Sequence, residues 1–99
     1  MNSKQRTREL LAHALTVAER DGWARMTREA VAMQAEVSPG LVSARLGTMA
    51  ELRRAVMRAA VAAGTLRVVA EGLVLGDKHA LRAPESLRAA AAASIASKQ

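Results

Sequence analysis

Apolar residues at Leu10, Leu11, Ala14, Leu15 and Ala18 recur at i, i+1, i+4, i+5 and i+8, the stripe of an amphipathic helix. The pattern predicts a first helix from Glu9, closed by Asp21-Gly22, where glycine suits the position just past a helix end. Trp23 and Met26 follow in a short connector that is expected to fold back onto this helix. Thr27 is a fitting N-cap for a second helix over Arg28 to Ala35, with Val31, Ala32 and Ala35 inward. Ser38 caps a third, with Pro39 at its first position, where a missing N–H costs nothing; that helix ends near Gly47. Thr48 and Glu51 stand at capping-box spacing. They open a fourth helix with Leu52, Val56, Ala59, Ala60 and Ala63 along one side, ended or bent at Gly64.

Leu66 to Leu75 is apolar and fits a helix or a strand by pattern alone; in an otherwise helical chain it reads as helix. Gly76-Asp77 is a turn signal, and Pro84 begins a last helix containing five consecutive alanines at 89–93. Ahead of the first helix, residues 1–8 carry Lys4, Arg6 and Arg8 without an acid, a basic arm leading into it.

Composition agrees with an all-α fold, a small helical bundle. The single aromatic is Trp23, so the core must be built from Leu, Val, Met and Ala, which suits closely packed helices better than a sheet. Ninety-nine residues make one small domain, and 51% hydrophobic with 24% charged residues is a globular balance. A net charge of +6 favours an anionic partner, nucleic acid first and a membrane surface second. The absence of cysteine excludes disulfides and thiol catalysis. His13 and His79 lie far apart and lack metal-ligand spacing, and no nucleophile–base pair stands out. No metal, cofactor or enzymatic activity is therefore expected. The N-terminus has no apolar signal core, and no apolar run reaches a membrane span, so a cytoplasmic, nucleoid-associated protein without a membrane partner is expected.

The informative segment runs from Arg28 to Leu46. Two short helices joined by a tight turn need a small residue where they approach and branched apolar residues beside it. Ala32 supplies the first; Val31, Val37 and Val42 supply the second. This is the helix-turn-helix pattern, whose second helix can enter the major groove. An ordinary corner in a helical bundle has the same pattern.

Thr27 through Leu52, TREAVAMQAEVSPGLVSARLGTMAEL, resembles the DNA-binding domain of TetR-type transcriptional regulators, and the preceding RELLAHALTVAERDGWARMT is similar to that family's first helix and Gly-aromatic connector. The likeness covers about residues 6–58 and is most specific at Val37-Ser38-x-Gly40, Gly47-Thr48 and Glu51-Leu52. It departs from the family at four positions. Glu36 stands at the turn glycine, Ser43 at a common aromatic, Leu46 at a common Phe and Met49 at a common basic residue. Arg45, Arg53 and Arg54 are candidates to replace the missing phosphate contacts.

The resemblance implies a helix-turn-helix DNA-binding domain over residues 1–63 and a helical, dimerising segment over residues 64–99. About 40 residues follow Arg58, too few for a ligand cavity of several hundred cubic ångströms as well as a core, so no small-molecule effector is expected. The implied function is a sequence-specific regulator of transcription, a repressor acting as a homodimer on double-stranded DNA. The rival reading is a helical interaction module that binds a partner protein.

Candidate DNA contacts follow. Lys4, Arg6 and Arg8 would lie along phosphates or in a minor groove, or else fray in solvent. Arg28 is a phosphate contact or a plain surface charge. Thr27, Ser38 and Thr48 are N-caps whose helix ends are also suited to phosphate. Pro39, Leu41, Ser43, Ala44 and Arg45 are assigned to the groove, Gly40 to a close approach to DNA or to the first helix, and Val42 and Leu46 to the core. Arg45 is the best base reader, or else a phosphate contact. Leu66, Val68, Val69, Leu73, Val74 and Leu75 exceed what one final helix is expected to cover, which points to a dimer interface; the alternative is a last helix folded back over them within one subunit.

Overall fold

The computed structural model describes residues 2–97. These form helices α1 (Ser3–Asp21), α2 (Arg28–Ala35), α3 (Pro39–Leu46), α4 (Met49–Ala63), α5 (Leu66–Leu75), α6 (Lys78–Leu81) and α7 (Glu85–Ala96), with no strand among the described residues. The fold is an all-α bundle, as the core composition requires.

α1 begins six residues earlier than the apolar stripe indicates. Asn2 caps it, its side-chain oxygen accepting the Gln5 N–H at 2.8 Å. Nothing between Ser3 and Glu9 breaks a helix, and Lys, Gln and Arg are good helix formers. Lys4, Arg6 and Arg8 therefore stand on the first turns of α1, not on an extended arm. α1 stops at Gly22, whose φ of 101° only glycine adopts readily.

Along α4, Leu52, Val56 and Ala60 are buried as the pattern demands, but Ala63 is exposed and Met57 is fully buried. The reason is tertiary: α5 and α6 pack against α4 from a second direction. Gly72 of α5 makes that approach possible. A Cβ there would stand 2.7 Å from the Ala80 Cβ and would collide with the end of Met57. α6 itself was not foreseen beyond its turn signal. Asp77 starts it, with Oδ2 accepting the His79 and Ala80 N–H groups, each at 3.0 Å.

Pro84 stands just before α7, and α7 packs along α5. Leu87, Ala91 and Ile95 make one stripe on it; Ala91 is buried and the other two half-buried, while the remaining four alanines of the run are exposed. Folding back within the subunit accounts for much of the apolar excess. Val68 and Val69 are buried and Leu66 and Leu73 half-buried, leaving Val74 (72% exposed) and Leu75 (56%) open. One core cluster joins residues of α1 through α7, so the segments before and after Gly64 share an interior.

Candidate nucleic-acid interface

α2 and α3 meet across a three-residue turn, Glu36 to Ser38. Glu36 has φ 58° and ψ 44°, the only positive φ outside glycine among the described residues. Holding a non-glycine residue there costs about 1 kcal/mol. The turn is closed by the Val37 N–H donating to the Ala32 carbonyl at 3.0 Å. Ala32 and Val31 are buried beneath it and Val37 half-buried, so the helices cross over small and branched side chains as the sequence predicts.

Three hydroxyl caps hold the helix starts. Thr27 Oγ1 accepts the Ala30 N–H, Ser38 Oγ the Leu41 N–H and Thr48 Oγ1 the Glu51 N–H, each at 3.1 Å. Glu51 Oε1 accepts the Thr48 N–H in return, completing the capping box. The Thr48 backbone N–H, and after it the Thr48 hydroxyl, hold the Glu51 carboxyl below its ordinary value. Gly47 makes room for this: with φ 80°, it would set a Cβ 2.6 Å from Glu51 Oε1. Thr27, Ser38 and Thr48 are all exposed.

α3 divides as its sequence demands. Val42 and Leu46 are buried; Pro39, Gly40 and Ala44 are exposed; Leu41, Ser43 and Arg45 are half-buried. Arg45 does not reach straight out from α3. Its Nη1 donates to Ser3 Oγ at 2.5 Å, tying the last turn of α3 to the first turn of α1. Arg6 lines the same cleft, with His13 and Leu41. Lys4 and Arg8, one turn apart on α1, line a separate exposed hollow with Ser3. The early start of α1 thus brings Arg6 beside α3, while the hollow that Lys4 and Arg8 line is formed by α1 alone. Arg28 is half-buried, and its Nε is buried without a hydrogen-bond partner.

Two features escaped the sequence reading. The Glu71 carboxylate on α5 accepts the backbone N–H groups of Trp23 and Ala24, at 2.8 and 2.7 Å, binding the connector ahead of α2 to the C-terminal segment. The available signal was a lone acid inside the apolar run LRVVAEGLVL. Met33 on α2 is 81% exposed. Trp23 packs as expected: it is buried, and its Nε1–H donates to the Arg53 carbonyl at 2.9 Å.

No described helix is long and apolar enough to cross a membrane. Among the described residues no cluster of three or more His, Cys, Asp or Glu is arranged to hold a metal ion. No family model, curated protein or solved structure matches the chain.

Proposed function

We propose that the protein is a sequence-specific, double-stranded-DNA-binding regulator of transcription, a repressor acting as a homodimer on the nucleoid in the cytoplasm. The observation that carries this reading is the α2–α3 pair: a tight turn, two capped helix starts, and a second helix whose outer side bears no core residue. α3 would lie in the major groove, where Pro39, Leu41 and Ala44 offer apolar contacts for thymine methyls and Ser43 and Arg45 offer polar ones for base edges. The exposed starts of α2, α3 and α4, with Lys4, Arg6 and Arg8, would take phosphates. Val74 and Leu75 supply an apolar patch for the second protomer. The resemblance of residues 6–58 to TetR-type regulators supports the same reading.

The second reading is an interaction module for a partner protein. Met33, a large apolar side chain open to solvent on α2, favours it. Mobility-shift titration against duplexes selected from a random pool, and against the upstream region of its own gene, separates the two. A shift that weakens steeply with salt supports the regulator. No shift with any selected duplex removes it and leaves the module.

A further inference from the structure

The groove reading uses the cations of α1 and Arg45; Arg54, a candidate phosphate contact by resemblance, belongs to a further group that extends beyond that domain. Arg54 and Arg58 are one turn apart on α4, about 6 Å along its axis, and both are exposed. Lys78 on α6 and Arg82, the cap just past its end, are exposed as well. The two helices pack together, and His79 joins their cations into one strip. It lines one open hollow with Arg54 and Lys78, and a second with Arg58 and Arg82. The Arg58 Nε–H donates to His79 Nε2 at 3.3 Å, which lays the Arg58 side chain along the strip.

Nearby acids form no salt bridge with these cations, although the Arg54 charge adds a little to the lowering of the Glu51 carboxyl. Glu51 is turned into the capping box and Asp77 into the start of α6. Among the described residues the single salt bridge is Arg20–Asp21, at the far end of α1. Four exposed cations without an ion-pair partner give this strip a positive field that favours a polyanion. The strip starts one to two turns along α4 from Thr48, the exposed cap that follows α3 directly.

We propose that Arg54, Arg58, Lys78 and Arg82 form a second phosphate-contact strip, which carries the duplex-binding surface past α3 along α4 and α6. The proposal rests on the DNA-binding reading. The strip reads no bases; it adds sequence-independent affinity and lengthens the stretch of duplex that one protomer covers.

The test uses the full chain with Lys78→Gln and Arg82→Gln, singly and together. Both residues are exposed, and an unchanged melting temperature checks the fold. Equilibrium binding to a selected duplex is followed from 50 to 200 mM salt. Each substitution removes one phosphate contact from each protomer and should flatten the slope of log K against log salt by about 0.9 per contact, about 1.8 for the bound homodimer, leaving the ratio of selected to random duplex unchanged. The hydroxyl-radical footprint should lose its outer protected phosphates. An unchanged slope and footprint, with the unsubstituted protein still bound, overturn the strip and leave the DNA-binding reading standing. Failure of the unsubstituted protein to bind any duplex overturns both. Unchanged duplex binding with lost binding to phosphatidylserine vesicles overturns the strip in favour of a membrane surface.

Discussion

Glu71 accepts the Trp23 backbone N–H at 2.8 Å across 48 residues of sequence, so a carboxylate of α5 holds the connector that leads into α2. Hydrogen bonds to a charged acceptor contribute about 1.5–3 kcal/mol, and a buried N–H that loses its acceptor adds a desolvation cost. Glu71→Ala should destabilise the fold by about 2–4 kcal/mol, and Glu71→Gln by less, because the amide oxygen still accepts one of the two bonds. Thermal denaturation of both variants measures this.

Arg45→Ala should cost about 1–3 kcal/mol on a selected duplex if the guanidinium reads a base, with a modest fall in melting temperature from loss of the Ser3 bond. Equal losses on selected and random DNA identify a phosphate contact instead. Ser3→Ala frees the same guanidinium from α1, and comparing its duplex preference with that of the unsubstituted chain tests whether the Ser3 bond orients Arg45.

Glu36→Gly relieves the left-handed turn and should stabilise the fold by about 0.5–1 kcal/mol, the greater freedom of glycine in the unfolded chain offsetting part of the gain. Denaturant titration should show a raised midpoint with unchanged slope.

Gly72→Ala inserts a methyl group between Met57 and Ala80 and should destabilise by about 1–3 kcal/mol. Gly64→Ala offers a contrast. No atom stands within 4 Å of its added Cβ, so only the left-handed backbone at φ 69° opposes it.

Glu51 has a folded-state pKa lowered below its unfolded value. Its contribution is therefore fully present above the unfolded value and is lost as pH falls through the folded one. Stability measured from neutral to acid pH should decline less steeply for Glu51→Gln than for the unsubstituted chain. Parallel curves for the two would show that the capping box leaves no mark on acid unfolding.

The caps at Thr27, Ser38 and Thr48 were legible because each joins residues only three apart, and so were the limits of α2 and α3. The start of α1 was not, because its first turns bury nothing and leave no apolar stripe to read. Burial of Met57 depends on α5 and α6 closing over α4, and the Arg45–Ser3 bond spans 42 residues; neither has a local signature. The outward residues of α3 were identified by elimination of Val42 and Leu46, a pattern that gives the exposed face but not the direction Arg45 takes.

α7 is fastened by Leu87, Ala91 and Ile95, and no side chain caps its start at Pro84. Its remaining alanines favour the helix by propensity while adding little buried area. A segment so attached peels away as a unit at a lower free energy than global unfolding, and its amide protons should exchange with solvent ahead of those of α1 and α4. What such an opening strips bare is the side of α5 along which α7 packs, where Ala70 lies beneath Ile95 and Ser94.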